Sequence, residues 1–125
     1  MQREIVNRVP ESAFETNQFI APHILDLRDG NSGIGPHIDY LNASGGIIAG
    51  LSLISPAVFV FKKGNESFRA LVPPNSLYIQ FDELRYEWTH EIPMTNDPDH
   101  HVNGQFVERG RRLVMLLRDK KKMVI

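Results

Sequence analysis

In His37-Ile38-Asp39 an imidazole and a carboxylate stand two residues apart. On an extended strand, residues at that spacing point to the same face, so the two groups converge while Ile38 turns away. Burying such a pair on an inward face requires a partner, and a metal shared with a further histidine supplies one. His90, in Glu87-Trp88-Thr89-His90-Glu91-Ile92, lies fifty-three positions on and fits that need. Two histidines and a carboxylate that leave three positions open form the facial triad of non-haem iron(II) oxygenases. The spacing by itself also fits a surface His–Asp pair and a separate core histidine, because five histidines in 125 residues make such triples common.

A second group lies near the C-terminus. Arg112 and Arg118 are six apart and share one strand face, with Val114 and Leu116 between them on that face. Two guanidinium groups buried on an otherwise apolar strand require anions. A dicarboxylate fits: one arginine holds the distal carboxylate in a bidentate fork, the other the end nearer the metal. Tyr78, in Ser76-Leu77-Tyr78-Ile79, alternates inward and its phenol adds a hydrogen bond. The competing reading is an edge strand whose arginines stand in solvent at its two ends.

Strands must hold these residues, and strands are what the sequence predicts. Short apolar runs separated by turn residues place them at about 19–27, 35–40, 47–54, 57–62, 68–72, 77–81, 86–92 and 112–118. That spacing predicts an all-β sandwich or jelly roll. Residues 1–9 carry Ile5, Val6 and Val9 at helix spacing, closed by Pro10. With 125 residues there is room for one core. Hydrophobic residues at 42% and charged residues at 23% are those of a globular chain rather than a disordered one. A net charge of -1 argues against broad DNA binding or a membrane-surface footprint. The absence of cysteine excludes disulfides, thiolate metal sites and cysteine nucleophiles. No apolar run reaches the roughly 18 residues of a membrane span. No signal or transit peptide is recognisable, since Glu4, Glu11 and Glu15 interrupt the N-terminus, and an intracellular location is expected.

Taken together, HxD, then His, then RxxxxxR resembles the Fe(II)- and 2-oxoglutarate-dependent dioxygenases of the AlkB family. Several stretches are similar to its mitochondrial homologue-seven branch: His23-Ile24-Leu25-Asp26-Leu27, Pro36-His37-Ile38-Asp39, the run from Ile48 to Pro56, Ser76-Leu77-Tyr78-Ile79, Arg85-Tyr86, His90-Glu91-Ile92 and Arg109-Gly110-Arg111-Arg112. The resemblance spans residues 20–118. It implies a double-stranded β-helix (jelly roll, cupin-like) core over 19–119, between a residual helix and connection at 1–18 and a basic tail at 120–125. It implies His37, Asp39 and His90 as iron ligands, Tyr78 as a 2-oxoglutarate ligand, Arg112 at the distal carboxylate and Arg118 near the C1 end. With O2 as co-reactant, the implied activity couples decarboxylation of 2-oxoglutarate to succinate with hydroxylation or demethylation of N-methylated RNA, a protein or a lipid-pathway target. A mitochondrial location is implied by the resemblance only.

Many AlkB relatives carry Asn-x-Tyr on the first strand, where Asp26 and Arg28 are read as the matching positions; the homologue-seven branch lacks that pair too. Val114 replaces a residue that is often polar in relatives. A chain that starts inside a helix suggests a truncated N-terminal region, and two helical turns are expected to leave an apolar patch through which the protein associates. Two rival readings are a non-catalytic metal- and dicarboxylate-binding module acting through partners, and a cupin-like isomerase that would not need the arginine pair. Among weaker features, His100-His101 beside Asp97 and Asp99 reads as a solvated turn, His23 as a rim residue, and Trp88 as pocket lining or core.

Overall fold

Period-two alternation gives each strand one apolar side, and the chain buries those sides between two antiparallel sheets. The computed structural model describes residues 1–123. Helix α1 (Gln2–Val6) and a 3-10 turn (Glu11–Ala13) precede strands β1 (His23–Leu27), β2 (Ile34–His37), β3 (Ile48–Leu53), β4 (Ala57–Lys63), β5 (Glu66–Val72) and β6 (Ser76–Gln80). Helix α2 (Asp82–Tyr86) leads to β7 (Thr89–Ile92), β8 (His101–Val102), β9 (Gln105–Phe106) and β10 (Arg112–Arg118). Both main sheets have four strands, β1-β10-β3-β6 (the large sheet) and β2-β7-β4-β5 (the small sheet), so the chain crosses between layers as it advances. This is the all-β, double-stranded β-helix arrangement expected from the sequence. Leu27 of the large sheet packs with Ala57, Phe59, Phe61, Val72 and Ile92 of the small one, forming the inter-sheet core.

Three local features differ from expectation. Tyr86 ends α2 instead of opening a strand; with Asp82 and Glu83 in its first turn and Arg85 in its last, this helix complements its own dipole. Five residues are too few to register as a helical period. The β8–β9 hairpin, two residues a side, is likewise too short for alternation to reveal. Its Asn103-Gly104 turn, with φ of 52 and 78 at the two positions, carries the turn chemistry that marks a hairpin. Third, the basic run Lys120-Lys121-Lys122, whose charge predicts a solvated end, is anchored through its backbone: the Lys122 amide donates to Glu15 and the Lys120 amide to the Gln18 carbonyl. Positions 124 and 125 lie outside the described residues.

The outer face of the large sheet is covered unevenly. Ile5, Val9 and Ala13 pack over Ala49, Leu117 and Ile79, which form one row across the sheet. The short N-terminal segment therefore shields more of the face than two helical turns suggested. The next row, Ile24–Met115–Leu51–Leu77, and the pair Leu113–Leu53 beyond it are half-buried or exposed, with Ile24 at 56%.

Candidate metal and dicarboxylate site

The pairing of β2 with β7 sets His37 directly opposite His90, with ring centroids 4.2 Å apart and planes tilted by 52°. After His37 the chain leaves the strand and turns Asp39 back towards both rings. Asp39 Oδ1 lies 3.4 Å from His37 Nε2 and 3.5 Å from His90 Nε2. One ligating atom from each residue falls within 4.8 Å of the others, the one such His/Asp/Glu group among the described residues. Nitrogen and oxygen ligands about 2.0–2.2 Å from one ion stand roughly 3 Å apart when adjacent, so the donor set matches a single divalent cation in scale. His37 Nδ1 lies 2.9 Å from the Gly35 carbonyl. A proton there donates to that oxygen and leaves the Nε2 lone pair facing the cluster.

The electrostatics suit the same role. Burial, then the neighbouring His37, push His90 down to about 4 against the pull of Asp39. It is therefore neutral near pH 7, as an imidazole ligand must be. Burial would raise the Asp39 carboxyl, but the Arg118 hydrogen bond and charge, with the two histidines, hold it below the ordinary value. Arg118 Nε donates to Asp39 Oδ2 at 2.7 Å, on the oxygen away from the rings.

The opposite wall is cationic. Arg112 has no exposed surface, donates through Nε to Ser52 Oγ at 2.9 Å, and lies over the Phe59 ring at 5.2 Å. Its Nη1 and Nη2 are buried and, among the described residues, meet no carboxylate or carbonyl acceptor, with the Tyr78 phenol the neighbour that interacts with the guanidinium. Tyr78 sits beside it, edge-on to Phe59; burial raises its phenol above the usual range, so it stays protonated and can donate. Gly50 faces Tyr78 across the register, and any Cβ at that position would run into the ring. His37, Asp39, His90, Tyr78, Arg112 and Arg118 all line one cavity of about 200 Å³, closed by Leu25, Ile34, Phe59, Ile92 and Leu116. The six divide by layer: the His–Asp–His group belongs to the small sheet and its following loop, the tyrosine and both arginines to the large sheet.

Other sequence readings resolve differently. His23 is exposed at the cavity rim. Trp88 is outside the lining; it packs edge-on against Phe68. His100 is fully buried rather than solvated: its Nδ1 meets the Val107 carbonyl and its Nε2 takes the Val58 amide beyond the end of β7, so it plugs a sheet edge. On β1 the inward side chains are His23, Leu25 and Leu27; Asp26 points out and pairs with Arg111 at 3.1 Å, so it is not a pocket position. Ser52 and Phe59, which orient Arg112, were missed by sequence reasoning, although Ser52 is the polar residue between Leu51 and Leu53 on an apolar strand. Arg85 was noticed only as part of a similar stretch.

No protein-family model matches the chain. Curated relatives do. The chain is 36% identical over 121 residues, 93% of its length, to the bovine protein named alpha-ketoglutarate-dependent dioxygenase alkB homolog 7, mitochondrial. It is 37% identical over 119 residues to the mouse protein of that name. To a Caenorhabditis elegans protein named DNA N6-methyl adenine demethylase it is 31% identical over 93 residues, 73% of this chain and 28% of that one. The chain spans about half the length of the bovine and mouse relatives, 53% and 52%.

Proposed function

We propose that this chain, related in sequence to the AlkB family over nine-tenths of its length, is an iron(II)- and 2-oxoglutarate-dependent dioxygenase. His37, Asp39 and His90 would hold the iron; Tyr78, Arg112 and Arg118 would hold 2-oxoglutarate. The observation that carries this reading is the pair of Arg112 nitrogens that meet no anion among the described residues, buried in the cavity that the His–Asp–His group also lines. An uncompensated buried guanidinium is costly, and a carboxylate bridging Nη1 and Nη2 removes that cost.

Bound iron supplies O2 chemistry that couples decarboxylation of 2-oxoglutarate to succinate with oxidation of a prime substrate. The chain's own part is geometric. Ser52 holds Nε of Arg112, so the two Nη groups face the cavity as a fork for the distal carboxylate. Tyr78, held protonated, donates a further hydrogen bond. Arg118 keeps Asp39 ionised and would meet the end of the cosubstrate nearest the metal. Apolar walls of Leu25, Ile34, Phe59 and Ile92 limit water around the reacting atoms. No general base is needed, and the cavity offers no nucleophile–base pair for one.

The prime substrate would be N-methylated RNA, a protein side chain or a lipid-pathway target, hydroxylated or demethylated. A mitochondrial location follows from the names of the relatives alone, and association through the half-exposed outer rows of the large sheet completes the reading. Incubating the chain with Fe(II), ascorbate, O2 and 2-oxoglutarate should release succinate. Thermal unfolding should rise with Mn(II) plus an unreactive 2-oxoglutarate analogue by more than with either alone. The absence of both succinate and a shift would sink the proposal; a shift without succinate would identify a binding module.

A further inference from the structure

We infer that Arg85 is a positioning residue for the metal centre: from α2 it grips the backbone of the loop that carries Asp39 and fixes where that carboxylate stands relative to His90. The inference rests on the metal site proposed above and assigns it a determinant outside the ligand set.

Arg85 is 2% exposed, among the most deeply buried cations in the chain. Its side chain spends every donor group on one stretch of backbone. Nη1 donates to the Asp39 carbonyl at 2.8 Å, Nη2 to Ser44 at 3.2 Å, and Nε to Gly45 at 2.8 Å. Those acceptors belong to the segment between β2 and β3, where no sheet ladder fixes the chain. Asp119 clamps the far side of the same segment, with Oδ1 accepting from the Ile47 amide at 2.6 Å and its carbonyl from Gly45 at 2.8 Å. Between the clamps, Gly45 and Gly46 pack so closely against Asp119 and Ala13 that neither has space for a Cβ.

The connection to the site is short at both ends. The first carbonyl held is that of Asp39 itself, so its Cα, and with it the carboxylate, is tied to the guanidinium. Five residues beyond Arg85 the chain reaches His90, already in β7. One short stretch of chain, α2 running into β7, thus carries a ligand and the hold on another. Three carbonyls at fixed angles match a planar fork of donors, a geometry lysine cannot reproduce despite its charge. Partners that orient metal ligands typically cost about 10- to 100-fold in affinity when removed.

The test compares Arg85→Lys with Arg109→Lys. Arg109 is equally buried and also donates to loop carbonyls, those of Asp29 and Ser32, but it holds no metal-ligand backbone. Mn(II) affinity is read by EPR, and the site's coordination by the visible spectrum of bound Co(II). Arg85→Lys should weaken Mn(II) by about 10- to 100-fold and change the Co(II) spectrum. Arg109→Lys should lower the melting temperature yet keep wild-type affinity and spectrum. In the wild type, where folding is not at issue, Mn(II) should slow hydrogen exchange across 39–46 and 82–87 together. Unchanged affinity in Arg85→Lys, equal losses in both variants, or protection confined to the ligands themselves would overturn the inference. If the wild type binds no Mn(II), the metal reading fails with it; if it binds and Arg85→Lys binds equally, this inference alone fails.

Discussion

Two donor nitrogens of Arg112 are buried without a carboxylate or carbonyl acceptor among the described residues, and the proposed cosubstrate would satisfy them. Removing its charge should therefore separate stability from function. Arg112→Met keeps the volume, and replacing a desolvated charge by a packed apolar side chain is often neutral or stabilising. The melting temperature should hold or rise, while affinity for a 2-oxoglutarate analogue in the presence of Mn(II) falls by about 30-fold or more, the equivalent of roughly 2 to 5 kcal/mol for a buried charge pair. Calorimetric titration beside a thermal melt decides it, and a large drop in stability with unchanged affinity would show Arg112 to be structural. His37 and Asp39 were paired by strand parity, although Asp39 reaches the cluster from the loop after β2; His90 was joined to them as the partner that pair needed, while Tyr78 and the two arginines were legible from strand alternation, which needs no knowledge of neighbours. Arg85, Ser52 and Phe59 were not, because their roles lie in contacts between segments distant in sequence.

Among the elements, the N-terminal segment, α2 and the C-terminal stretch meet at one carboxylate. Glu15 accepts from Tyr86 Oη at 2.6 Å and from the Lys122 amide at 3.0 Å. Burial would raise its pKa; those bonds and the charges of Lys121 and Arg85 outweigh that and lower it from 4.5. A lowered native value stabilises the fold fully above the unfolded pKa, and the gain is lost as pH falls through the native one. Melting temperature should thus drop between pH 5 and 3 more steeply in the wild type than in Glu15→Gln; parallel curves would refute the linkage. The β3–β4 connection holds a different tension. Ile54 is exposed, β-branched, and has φ of 78, a region disfavoured for such a side chain by about 1–2 kcal/mol. Ile54→Gly should relieve it and raise stability by about 1 kcal/mol in denaturant titration. Long strands were readable from alternation, whereas α2 and the β8–β9 hairpin fall below the length at which a period shows.

For the molecule as a whole, the half-exposed rows around Met115 and Leu51 form an apolar face larger than single scattered side chains would make. Light scattering at tens of micromolar should give a mass above that of one chain, and Ile24→Lys should return it towards the monomer; a clean monomer throughout would mean that the rows cover one another well enough. The placement of the six site residues by layer bears on how the protein is made. Ribosomal synthesis delivers His37, Asp39 and His90 before either arginine, and β2–β7 pairing needs nothing from β10, whereas the Asp39 carboxylate and its loop gain the holds of Arg118 and Asp119 only with the last strand. An ion captured at that stage would staple a loop of more than fifty residues, the long-range closure that is slowest to find by chance. Metal supply would then govern the yield of folded chain, and the cosubstrate pocket would close over a centre already loaded.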